Sequence, residues 1–196
     1  KGGIPELAHH NFLFSDDWLD DFDAVFDGPV ASRPQAASQS IYVSKPSATD
    51  PSVAPAGHEN LFVLVPVPAD PSVGHGDMYR GEASEQVQRI ADAALEQIAS
   101  RCGVAGLGRR IVVKQTLGPA DFAERYNAWS GGSIGPAHTL RQSAFLRGPN
   151  KSRKLDSLLY AGATTTPGVG VPMCLISAEN VLKRVRGDRS SGPLDG

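Results

Sequence analysis

Residues Leu158–Val185, LLYAGATTTPGVGVPMCLISAENVLKRV, constrain the fold more than any other stretch of this chain. Leu158, Leu159, Tyr160 and Ala161 form a short apolar run of the kind that makes a buried strand. A turn rich in Gly and Thr follows, and Pro172 then stands where proline is tolerated in the first turn of a helix. Met173, Ile176, Val181, Leu182 and Val185 share one side of that helix, with Glu179, Lys183 and Arg184 mostly apart from them. Strand, small-residue turn and helix together bring backbone N–H groups and a helix N-terminus close to a ligand. The pattern is not the GxGxxG dinucleotide fingerprint, and taken alone it is equally compatible with a tight connection between a strand and a helix.

Residues Gly162–Ala178, GATTTPGVGVPMCLISA, resemble the C-terminal flavin-contacting segment of the bacterial phytoene desaturase (CrtI-type carotenoid desaturase) family. That family typically reads Gly-Ala-x-Thr-His-Pro-Gly-x-Gly-x-Pro before a helix. The resemblance extends upstream through HHNFLFSDDW at His9–Trp18, through Tyr42–Pro68, and through GPADFAERYN at Gly118–Asn127, in the family's order. Two positions depart from the pattern: Thr166 replaces the usual histidine and Met173 the usual glycine.

The resemblance implies FAD as cofactor, with Gly162, Thr165, Pro167, Gly168, Gly170, Val171, Pro172 and Met173 as its contacts. It implies an enzyme that introduces double bonds into a long isoprenoid hydrocarbon, a carotenoid precursor, by hydride transfer to flavin. Such a substrate dissolves in lipid, so the expected setting is cytoplasmic, peripheral to the inner face of the cell membrane. Two other readings stay open. One is a related flavoprotein acting on a carotenoid-like lipid as an isomerase, saturase or oxidase. The other is a non-catalytic module that binds a lipid or a partner.

The fold class expected is α+β: an antiparallel sheet with helices, belonging to a substrate-binding region, plus the C-terminal strand and helix of an FAD-binding Rossmann-like domain. Residues 1–147 are assigned to the first, 148–187 to the second, and 188–196 to a disordered tail. No strand followed by GxGxxG occurs, and Gly103–Gly108 has the wrong spacing and follows a helix. The chain is therefore expected to be the C-terminal part of a longer enzyme, inactive by itself. A sheet deprived of neighbours exposes an edge, which makes a homo-oligomer compatible with the sequence.

Along the rest of the chain, Ala83–Arg101 is the clearest helix, with Val87, Ile90, Ala91, Ala94, Leu95 and Ile98 on one face. Pro119 opens another, with Asp121 and Glu124 near its N-terminus. Leu61–Val65 reads as a central buried strand, and Ser40–Val43 and Ile111–Thr116 as further strands. Leu140–Leu146 reads as extended. Asp16–Asp27 reads as an amphipathic helix with a solvated acidic face; its spacing is not that of an EF-hand.

The net charge of −2 gives no electrostatic footprint for nucleic acid. Cys102 and Cys174 are expected to be free thiols. No metal-ligand set, Ser/His/Asp order or thiolate–base pair is recognisable, and no catalytic residue can be assigned. A site of backbone amides and small residues suits chemistry carried by a cofactor.

Overall fold

A computed structural model describes residues 4–30, 33–137 and 139–194. Contacts divide the chain into two compact units, Lys1–Gly131 and Gly132–Gly196. The chain is mixed α/β, with five α-helices and one three-stranded antiparallel sheet among the described residues.

In the first unit the sheet runs in the order β1 (His10–Leu13), β2 (Ile41–Ser44), β3 (Phe62–Leu64). Leu13 pairs with Ile41, and Val43 pairs with both Asn11 and Val63. Side chains alternate across a strand, so Leu13, Ile41, Val43 and Val63 point to one face. That face packs against α2 (Glu85–Arg101) and the short α3 (Leu107–Arg110), which follow α1 (Trp18–Phe26) in the chain. The core joins Leu13, Ile41 and Val43 to Ala94, Ile98, Val104 and Leu107. Ile98 and Val43 are fully buried, each contributing roughly 1.5–3 kcal/mol by leaving water. α2 buries Val87, Ile90, Ala94 and Ile98, four of the six residues its periodicity singles out; Ala91 and Leu95 are not buried.

The run Leu61–Val65 forms not the centre of the sheet but its edge. Leu61, Val63 and Val65 pack on the core, while Phe62 and Leu64 face the other way and are 57% and 46% exposed. An unbroken apolar run thus serves one core face and leaves a second apolar face uncovered, and β2 takes the central place. Ile111–Thr116 is not a strand either. Its backbone is taken by a side chain: Thr116 N donates to Asp77 Oδ1 at 2.6 Å, while Val112 and Val113 stand exposed.

The acidic segment departs from its expected orientation. α1 forms, and Asp17 caps it by accepting from Asp20 N, but its apolar residues Trp18, Leu19, Phe22 and Phe26 are exposed. The inward group is Asp21, which is buried. It accepts from Arg33 Nε at 3.0 Å, Ser38 Oγ at 2.7 Å, Gln39 N at 2.9 Å and Ser40 N at 3.0 Å. A buried carboxylate persists only when charge and lone pairs are met in this way. α4 (Pro119–Tyr126) begins as expected at Pro119, and buried Asp121 accepts from Gly118 N and Gly76 N, tying the helix start to a distant loop.

In the second unit Leu140–Gln142 and Ala144–Leu146 are 3-10 turns rather than an extended segment. The strand expected at Leu158–Ala161 is reduced to one antiparallel bridge between Lys151 and Leu159, with Leu158 and Tyr160 partly exposed. Among its described residues the single long helix is α5 (Val171–Arg186). Its apolar residues Val171, Leu175, Ile176, Leu182 and Val185 are exposed, and the buried position is Ser177. Gly187 ends the helix, and the chain then returns along it: Lys183 Nζ donates to Ser190 O at 3.2 Å, and Leu194 N to Glu179 Oε1 at 2.7 Å. Asp195 and Gly196, the end of the tail expected to be disordered, lie outside the described residues.

Candidate functional site

The Gly- and Thr-rich turn from Gly162 to Gly170 forms an open backbone edge leading into the N-terminus of α5. Gly162 (φ +117) and Gly170 (φ +112, ψ 151) adopt conformations that L side chains avoid, and a Cβ at either would point into open space. Gly168 is likewise open on its Cβ side. Gly170 caps α5, Pro172 lies in its first turn, and Cys174 N is the first amide to bond back into the helix, to Gly170 O at 2.9 Å. The Val171 and Met173 amides precede that first bond and so have no intrahelical acceptor. Pro167 follows a cis peptide bond from Thr166.

The eight residues expected to contact a cofactor thus sit on one continuous segment, with Gly162, Pro167, Gly168 and Gly170 along this edge and Val171, Pro172 and Met173 in the first turn of α5. Thr165 differs in environment. It is buried, and its hydroxyl donates to Gly162 O at 3.0 Å and lies 2.8 Å from Ser177 Oγ. Its partners are within the protein.

Three residues hold the edge in place that the sequence alone does not reveal as important. Asn150 is buried between the turn and α5, its amide nitrogen 3.0 Å from Ser177 Oγ, 3.2 Å from Thr165 Oγ1, and 3.1 Å from both Tyr160 O and Thr166 O. Ser177 is fully buried and also accepts from Gly162 N at 3.0 Å. With two donors pointing at it, the Ser177 hydroxyl gives its own proton to Thr165 Oγ1, which gives its proton to Gly162 O. This arrangement gives both hydroxyl protons and the Gly162 N–H an acceptor, which fixes the turn on the helix.

Arg147 is the third. It is buried, and its guanidinium donates to Ala163 O at 2.9 Å, Ile134 O at 3.0 Å, and Pro136 O and Gln142 O at 3.3 and 3.4 Å. Thr166, at the position where the resembled family carries histidine, donates from its backbone N to Gly148 O at 2.8 Å, and its hydroxyl lies within reach of Arg147 O and Gly148 O. The signals for these roles were weak: one Asn inside a basic turn, and one Ser in an otherwise apolar stretch of helix.

Residues 162–173 contain no acid, base or thiol. The edge can bind and orient a flat or chain-like polar ligand through amides, but it moves no proton itself. Positive φ, open Cβ directions and uncommitted helix amides fit close approach by a flavin. Among the described residues no group of three or more His, Cys, Asp or Glu is placed to hold a metal ion, and no helix is long and apolar enough to cross a membrane. Cys102 and Cys174 are free thiols, and burial pushes the Cys102 thiol up, helped by the nearby Glu6 charge.

No family model matches the chain. Individual relatives do. A carotenoid 3,4-desaturase of Haloarcula japonica is 45% identical over 183 residues, 93% of this chain and 34% of that protein. A 4,4'-diapophytoene desaturase (4,4'-diaponeurosporene-forming) of Staphylococcus aureus is 34% identical over 187 residues, 95% of this chain and 36% of that protein. The chain thus spans about a third of the length of the curated relatives it matches. Along nearly its whole length the chain is thus similar to about a third of these carotenoid and diapophytoene desaturases.

Proposed function

We propose that this chain is the C-terminal part of an FAD-dependent desaturase of long isoprenoid, carotenoid-precursor hydrocarbons. The observation that carries this reading is the backbone edge from Gly162 to Met173, where glycines with open Cβ directions lead into the free amides of α5. FAD, when bound, supplies the redox chemistry. The chain's own residues would hold and orient it: the Val171 and Met173 amides, which have no intrahelical acceptor, would be available to it as donors, and Asn150, Ser177 and Arg147 fasten the turn behind them. In this reading residues 148–187, within the second unit, are the returning segment of a Rossmann-like FAD domain, completed by a nucleotide-binding region that this segment does not contain.

The first unit belongs to the substrate-binding region. Its sheet leaves Phe12, Phe62 and Leu64 exposed on the face away from the core, and Phe12 lies 5.2 Å from Tyr42 between ring centroids. Phe14 extends this surface toward Trp18 at 5.5 Å. Apolar surface of this kind suits a hydrocarbon substrate or the rest of the enzyme, and a protein that takes such a substrate works against the inner membrane surface as a peripheral, cytoplasmic protein.

The test is product colour. The polypeptide carrying this segment, expressed in a host that accumulates phytoene, is expected to shift carotenoid absorbance to longer wavelength, because each new double bond extends the conjugated system. An unchanged carotenoid spectrum from a flavin-loaded protein contradicts the desaturase reading while leaving flavin binding intact.

A further inference from the structure

We propose that a basic cleft in the second unit is a binding site for a phosphate group. The cleft has a volume of about 770 Å³ and is lined by Arg147, Lys151, Arg153, Lys154 and Arg184, with no acidic residue among its walls. The chain as a whole carries a formal charge of −2, so this clustering does not follow from a basic composition. Lys151 pairs at 3.2 Å with the solvent-exposed carboxylate of Asp156. Arg153, Lys154 and Arg184 have no acidic partner among the described residues. Behind them, the buried guanidinium of Arg147 meets only backbone carbonyls, so its charge is not cancelled and adds to the potential in the cleft.

Unpartnered cations facing one concavity repel one another, and an anion between them removes the repulsion. Two exposed guanidinium forks, Arg153 and Arg184, suit the paired oxygens of phosphate better than a single carboxylate. Ser152 lies in the same wall. Its oxygen accepts from Lys154 N and Leu155 N at 3.1 Å each, which orients the hydroxyl and leaves its proton to donate. Phe145 and Leu146 line the cleft too and are 85% and 53% exposed, so the phosphate can carry a hydrocarbon portion, as a lipid headgroup does. The inference is independent of the flavin reading, because neither readout below involves flavin.

The experiment compares the chain with the double variant Arg153→Gln, Arg184→Gln. Both residues are exposed and form no ion pair among the described residues, so circular dichroism is expected to be unchanged. One arm titrates inorganic phosphate by calorimetry. The other sediments the protein with vesicles of phosphatidylcholine alone or mixed in equal parts with phosphatidylglycerol. Binding of either probe that weakens about tenfold or more in the folded double variant is the expected result. Retention on the phosphatidylglycerol vesicles alone identifies a lipid source, and phosphate binding alone a soluble one. Binding of neither probe, or equal binding by the double variant, overturns the proposal.

Discussion

The amide nitrogen of Asn150 lies 3.0 Å from the hydroxyl oxygen of Ser177, across 27 residues of sequence, and the turn from Gly162 to Thr166 is fastened to α5 at that point. Both residues are buried, and Thr165 and Gly162 bond to the same hydroxyl. The rigidity of the candidate cofactor edge therefore depends on two polar side chains that do not lie on it.

Asn150→Ala is expected to leave Ser177 and Thr166 O short of a donor in a buried place, at a cost of about 2 kcal/mol. Chemical denaturation reads this directly. Ser177→Ala removes the acceptor of Gly162 N and is expected to cost a similar amount, and the double variant less than the sum, since the two losses share one network. Additive losses would show that the cluster does not act as a unit.

Gly170→Val tests the edge itself. The backbone there (φ +112, ψ 151) is open almost only to glycine, so the substitution is expected to cost about 2 kcal/mol. In a flavin-binding polypeptide it is also expected to weaken flavin retention, because the new side chain projects toward the space a ligand would fill. Thermal unfolding and flavin absorbance after gel filtration separate the two effects.

Asp21 sets an acid limit on the first unit. Burial alone would raise its pKa, but donors from Gln39 N, Ser40, Ser38 and Arg33 outweigh this and hold it well below the usual carboxylate range. A depressed folded-state pKa stabilises the fold above the unfolded carboxylate's ordinary value of about 4 and stops doing so as pH falls through the folded value. Stability is therefore expected to decline from about pH 5 downward. Asp21→Ala is expected to cost about 3 kcal/mol near neutral pH, by removing the carboxylate beside buried Arg33, and to flatten the acid decline. An unaltered pH profile in the variant would remove Asp21 from this role.

The exposed side of α1 behaves differently. Leu19 and Phe26 are 76% and 67% exposed, so Leu19→Gln with Phe26→Gln is expected to change stability by less than about 1 kcal/mol. The same pair is expected to reduce self-association in analytical ultracentrifugation, because an uncovered apolar face promotes it. A large loss of stability instead would mean that the helix is covered by something else.

Periodicity in the sequence locates α2 and the start of α4, because an amphipathic repeat and a proline at a helix start are local signals. It misplaces what depends on a neighbour. Leu61–Val65 is apolar throughout, yet nothing within the run indicates that Phe62 and Leu64 face away from the core. The apolar Leu158–Ala161 run pairs only through the antiparallel bridge of Leu159 with Lys151, flanked by Tyr160 N donating to Asn150 O and Ser152 N to Leu158 O, and the pairing goes no further. The glycines of the candidate edge are visible in the sequence as a pattern. The Asn150–Ser177 support is not, since only folding brings those positions together. For α1 the acidic residues indicate a helix but not its orientation, which Arg33 and the donors around Asp21 decide.

The most direct test is flavin content. This chain, and a longer polypeptide joining it to a nucleotide-binding region, are each purified by gel filtration and read by flavin absorbance. Flavin in the longer polypeptide and none on this chain alone is the expected result, with Gly162–Met173 as half of a shared site. Stoichiometric flavin on this chain alone, or none on either, would contradict it.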